Sequence, residues 1–155
     1  MTDDALDRYR TQFNALIERH GWAAQGVTSD VPLLYSVGLT VKYGHPEIAV
    51  YGLSPHVAHG VLSAAVNLIA AGETFTSGDT STAVLEGDLP VVFHEIPDMV
   101  AQSQFGVARW WYREQASRPF PPFVQLLWPD RQGRLPGQPG CDDQTVSLQR
   151  VQLNA

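Results

Sequence analysis

Cysteine occurs once in this chain of 155 residues, at Cys141. A single thiol forms no internal disulfide and no cysteine-based zinc cage, and it suits a reducing cytosol. Lysine also occurs once, at Lys42, and the formal net charge is −6 at pH 7. Without a basic stripe to neutralise phosphates, neither nucleic acid nor an anionic membrane is an expected partner. Long apolar runs are missing too. The richest stretch, Val57 to Ala71, is interrupted by His59, Gly60, Ser63 and Asn67, and it is too short to span a bilayer. The opening residues MTDDALDRYR lack the basic flank and apolar core of a secretory signal, so a cytoplasmic location is expected. There is no G-x-x-x-x-G-K or G-x-G-x-x-G cradle for a nucleotide and no G-x-S-x-G elbow for a nucleophilic serine. No cofactor is expected.

The chain does have the composition of a globular protein, with 44% hydrophobic and 17% charged residues. Its length predicts one domain over 1–155, with an opening helix at 3–20, a core at 21–140 and a C-terminal loop and edge strand within 141–155. In the opening segment Leu6, Tyr9, Phe13, Leu16 and Ile17 recur at three- and four-residue spacing, with Asp in the first turn and Gly21 as a stop. WAAQGV, LLYSVGL and EIAVYGL are short apolar runs bounded by Gly, Pro and Asp, and are expected to be strands. Ser54-Pro55 starts a helix that Gly72 ends. TAVLEG and PVVFHEI are expected to pair through a Gly87-Asp88 turn. MVAQSQFGVARWWYREQ is amphipathic with a break at Gly106, FVQLLW is a further strand, and PDRQGRLPGQPGCDD is loop. The final TVSLQRVQL alternates like an edge strand. Together these predict an α+β fold, a mostly antiparallel sheet of about five or six strands flanked by two longer helices.

The stretch YSVGLTVKYGHPEIAVYGL carries the leading candidate site. In an extended segment His45 and Glu47, two apart, share one face, where they would form an acid–base pair or two ligands of a divalent metal. With Glu47 or Asp130 of the WPD turn beside it, His45 would have a raised pKa. As the alternative, GHPE is only a turn. His94 in VVFHEI would be a third metal donor if it converged with His45, and otherwise a hydrogen-bonded core histidine. His56 and His59 share the helical face of Gly60, Ser63 and Asn67, which offers no carboxylate or thiolate, so they are expected to be solvated and metal-free. In RWWYR, helix phase turns Trp111 and Tyr112 inward and Trp110 outward beside Arg113, the composition of a binding hot spot unless a neighbouring loop such as the Pro/Gly-rich tail covers the ring. Cys141 precedes Asp142 and Asp143, whose charges should raise its thiol pKa.

The blocks Gly21-Trp22, YSVGL, GHPE at Gly44 to Glu47, Gly52-Leu53 and LLWPDRQGRLP at Leu126 to Pro136 together resemble the bacterial domain-of-unknown-function family 4262. The resemblance covers roughly Gly21 to Gly140. It implies a family and no reaction. Where proteins similar to this one often read Phe-Pro-Trp, this chain has Leu135-Pro136-Gly137.

Two functional classes follow. The first is a non-catalytic module that binds a small ligand or a protein partner, through residues drawn from His45, Glu47, Trp110, Arg113 and Asp130. The second is a small hydrolase-like or metal-assisted enzyme using His45 and Glu47 with His94. The first is preferred, because no catalytic constellation is complete.

Overall fold

The computed structural model describes residues 3–27 and 30–149. Among these residues six strands form one sheet: β1 (Ala23–Val27), β2 (Leu33–Val37), β3 (Glu47–Tyr51), β4 (Thr80–Ser81), β5 (Val91–Ile96) and β6 (Phe123–Leu127). The spatial order is β1-β2-β3-β6-β5-β4. Neighbours pair antiparallel except β3 and β6, which run parallel with Glu47 opposite Phe123 and Ala49 opposite Gln125. The fold is α+β with a mostly antiparallel sheet, as the alternation of short apolar runs and amphipathic segments predicts.

Helices cover both faces, which is why β2, β3 and β6 are buried along their whole length. On one face Leu34, Ile48, Val50, Phe93 and Leu126 meet the apolar stripe Ala58, Leu62, Ala65 and Ile69 of α3 (Pro55–Ala70). That helix begins at Pro55, where a missing N–H is harmless, and ends where Gly72 takes φ 110°. On the other face Tyr35, Ala49, Tyr51 and Phe123 pack under α4 (Asp98–Gln104) and α5 (Gly106–Trp110), with Phe13 of α1 (Asp3–His20) closing the side. No helix among the described residues is long and apolar enough to cross a membrane.

Three local expectations change. TAVLEG is not a strand. The partner of β5 lies upstream at Thr80–Ser81, and the Ser81 hydroxyl accepts the Ala83 N–H at 3.1 Å, turning the chain away. Gly87 and Asp88 do take the positive φ values of a tight turn, 76° and 57°. The start of TVSLQRVQL is helical, in α6 (Asp143–Gln149), because Asp142 caps it by accepting both the N–H and the hydroxyl of Thr145 at 3.2 Å. Thr145 and Gln149, four apart, are its buried residues. The remainder of that segment, residues 150–153, lies outside the described residues.

The third change concerns RWWYR. Trp110, Trp111 and Tyr112 are all buried, which no single α-helical face accommodates. After the break at Phe105 the helix continues into a π-helical turn at Trp111–Gln115, where the Ala116 N–H reaches back five residues to the Trp111 carbonyl. The added width lets α1 cover Trp110. Phe13 meets the ring edge-on at 6.2 Å, and the Arg10 guanidinium lies 4.9 Å from its centre.

Candidate functional site

GHPE forms a buried corner between α2 (Leu39–Tyr43) and β3. The strand begins only at Glu47, so the two-residue alternation does not reach back to His45. The two side chains therefore leave the corner in different directions. His45 turns to Phe75, whose ring it meets edge-on at 6.1 Å, on the α3 face. Its Nε2 accepts the Phe75 N–H at 2.8 Å, and its Nδ1–H donates to the Pro46 carbonyl at 2.7 Å. That pair of bonds selects the neutral tautomer with the proton on Nδ1. Burial holds the His45 pKa below its ordinary value, against the pull of the Pro46 carbonyl. This reverses the direction expected from a carboxylate neighbour, because burial outweighs the Pro46 bond and the Glu47 carboxylate turns away.

Glu47 turns to the opposite face and is fully buried. Four donors converge on its carboxylate: the Ser36 hydroxyl at 2.7 Å, the Gly38 N–H at 2.7 Å, the Leu39 N–H at 3.1 Å and the Tyr112 hydroxyl. The Ser36 oxygen in turn accepts the Ile48 N–H at 2.9 Å. Gly38 has φ 115°, which aims successive N–H groups at one point, and an added Cβ there would stand 2.8 Å from the Gly21 carbonyl oxygen. Glu47 thus caps the first turn of α2 from a neighbouring strand. Burial pushes its pKa up to about 7, while the hydrogen bonds from Tyr112, Ser36, Gly38 and Leu39 pull it down. The Tyr112 hydroxyl is pushed above the usual phenol range by burial and by the Glu47 charge.

The most ligand-like concavity lies elsewhere. At the β1 edge of the sheet, the last turn of α1 and one side of α3 enclose a cleft of about 640 Å³. Its apolar walls include Trp22, Ala23, Ala24, Leu34 and Val66, and its polar groups are His20, Tyr43, His59, Ser63 and Asn67. The His59 imidazole lies 6.2 Å from the Trp22 ring and nearly parallel to it, and its Nδ1 is 3.4 Å from the Ser63 hydroxyl. Neither His45 nor Glu47 is among the residues that line it.

The quoted blocks thus build one connected structure. YSVGL supplies Ser36, Gly38 and Leu39, and GHPE supplies the carboxylate they hold. Residues 16–142 match the family described as Domain of unknown function (DUF4262). The chain belongs to DUF4262. No curated protein and no solved structure matches it. In this DUF4262 chain the matched span runs from Leu16, on the cleft rim, to Asp142, the cap of α6.

The other sequence candidates of the DUF4262 chain are dispersed. Asp130 organises the WPD loop: its Oδ1 accepts the Gln132 and Arg134 N–H groups at 2.9 Å, and its Oδ2 accepts the Asp142 N–H at 3.1 Å. The Arg134 N–H leads in holding its pKa below the usual carboxylate value. The Cys141 thiol is pushed up, first by burial and then by the Asp130 and Asp142 charges. His94 lies opposite Gln125 and lines a separate hollow of about 170 Å³ with Tyr51 and Gln104. Among the described residues no three His, Cys, Asp or Glu side chains come together to hold a metal ion. Arg113 is exposed beside Glu114 at 3.5 Å, whereas Trp110 is buried. His56 is exposed, and His59 belongs to the cleft. The signal for the cleft was the α3 stripe His59, Ser63 and Asn67 at four-residue spacing, which a sequence reading assigns to solvent. Trp22 offered no separate signal.

Proposed function

We propose that this DUF4262 chain is a non-catalytic, cytoplasmic module that binds a small ligand in the cleft at the β1 edge. The observation that carries this reading is the cleft itself. Its volume of about 640 Å³ falls in the range of small-molecule sites, and it combines apolar walls with a few convergent polar groups. The strongest candidates for catalysis are already committed. Both His45 nitrogens bind backbone groups, and the Glu47 carboxylate is enclosed by four donors with no exposed surface. Neither reaches a bound molecule without dismantling the corner. Those two residues serve the module by fixing α2, which carries Tyr43 to the cleft.

The test is a titration with naphthylacetamide, a neutral flat molecule with one amide, followed by amide and indole NMR shifts. The expected shifts cluster at Trp22, Ala24, Ser63 and Asn67, and Trp22→Ala weakens binding by about tenfold, roughly the loss of one buried aromatic contact. Binding that moves only the His94 hollow or the WPD loop would overturn the reading.

A further inference from the structure

The chain carries 16 Asp and Glu residues against 10 Lys and Arg, yet among the described residues no carboxylate lines the cleft. Its titratable side chains come one each from three helices: His20 from α1, Tyr43 from α2 and His59 from α3. The walls from Trp22, β1 and β2 contribute none. Just outside, the stem of Lys42 lies along Gly21, 3.2 Å from the place where a side chain on that glycine would begin. In an acidic protein, this apolar-walled cleft is therefore lined, among the described residues, by His, Tyr, Ser and Asn side chains rather than by carboxylates. Imidazole N–H groups donate to an anionic acceptor.

We propose, on the reading that this cleft is the ligand site, that its ligand is a hydrophobic monocarboxylate. The apolar body lies over Trp22, Leu34 and Val66, and the carboxylate lies at His20 and His59. Three features of the cleft suit that class. A carboxylate accepts hydrogen bonds from the imidazole N–H groups and from the Ser63 hydroxyl, and the Asn67 amide adds two N–H donors. A cationic head would meet the histidines with no carboxylate to offset them. The apolar walls gain by covering a body of aromatic or alkyl carbon rather than a second charge.

The experiment compares naphthylacetate, naphthylacetamide and naphthylethylamine, which share a ring system and differ in the charge of the head. Calorimetric titrations run on the wild type and on His20→Gln and His59→Gln, singly and together. The expected result is that the carboxylate binds about tenfold more tightly than the amide, and the amine most weakly. The double substitution abolishes the preference for the acid over the amide, read as the ratio of the two affinities within each variant. Equal affinity of acid and amide, or tightest binding by the amine, overturns the ligand class and leaves the cleft as a binding site. Amide binding insensitive to Trp22→Ala, or no binding by any of the three, overturns both. Both histidines are exposed on helices, and the thermal melt and Trp22 indole shift of each ligand-free variant report whether it retains a formed cleft.

Discussion

The Tyr112 hydroxyl donates to the Glu47 carboxylate, joining the π-helical turn to the first residue of β3 across 65 residues of chain. Tyr112→Phe keeps the ring and removes that donor. A hydrogen bond to a buried charge is worth about 1.5–3 kcal/mol, so the variant should lose stability in that range at about pH 8. Because the phenol pulls the Glu47 pKa down, the loss should shrink in acid. Urea denaturation at both pH values checks this, and equal losses would argue that only ring packing changed.

Glu47→Gln isolates the linkage of this carboxylate. Its pKa is raised from 4.5 to about 7, so the native state holds the proton more tightly than the unfolded chain. The stabilisation is complete below 4.5 and is lost as pH rises through about 7. A shift of that size corresponds to roughly 3 kcal/mol. The wild type should therefore lose about that much relative to the Gln variant between about pH 4.5 and 8. Taking the difference between the two proteins removes every other titration, and a flat difference would refute the assignment.

His45 should behave in the opposite sense. Its lowered pKa makes its contribution present above the ordinary value of 6.5 and lost as pH falls through the native value. Nitrogen-15 shifts should report an imidazole whose neutral form carries its proton on Nδ1 and which takes up a second proton only below the ordinary value of 6.5. A ring that titrates at or above 6.5 would contradict the buried setting of the Phe75 and Pro46 bonds.

Gly52 has φ 88°, and a Cβ there would stand 2.7 Å from the Leu148 carbonyl oxygen. Gly44 has φ 66° with open space around it. Alanine at Gly44 should cost about 1–2 kcal/mol, the ordinary left-handed penalty. Alanine at Gly52 should cost more and displace α6, because backbone strain adds to a clash with backbone. Thermal melts give the ranking, and exchange of the Thr145 to Gln149 amides reports whether α6 has moved.

Asp130→Ala should release the WPD loop. The Gln132, Arg134 and Asp142 N–H groups would lose their acceptor, so their hydrogen exchange should accelerate while that of β6 stays slow. Uniform acceleration across the sheet would instead mark global destabilisation.

How far the sequence revealed this molecule depended on how local each signal was. The opening helix, the three early strands and α3 were legible because apolar spacing and nearby Asp, Gly and Pro agree there, as at Ser54-Pro55 and Gly72. Alternation in TVSLQRVQL misled because a single Asp142 side chain outweighs a period-two pattern spread over few residues. Trp110 was assigned outward by an α-helical phase that the π-helical turn does not keep. In GHPE the corner was readable from Pro46. The partners of its side chains were not, since Phe75 lies 30 residues from His45 and Tyr112 lies 65 from Glu47. The cleft was legible only as a polar stripe, because its opposite walls come from separate segments.

The position of β6 bears on how the chain reaches its native state. It is the last strand among the described residues, yet it lies between β3 and β5. Until residues 123–127 are available, the β1-β2-β3 group and the β4-β5 pair have no shared partner and cannot form one sheet. During synthesis each would present an unpaired edge rich in apolar side chains, Ile48 and Val50 on one side and Phe93 and Ile96 on the other. Such edges recruit strands from other chains. Closing the sheet requires the parallel β3–β6 pairing across more than 70 residues, a slow, non-local step. The interval before that step is when nascent copies of this protein are most exposed to one another.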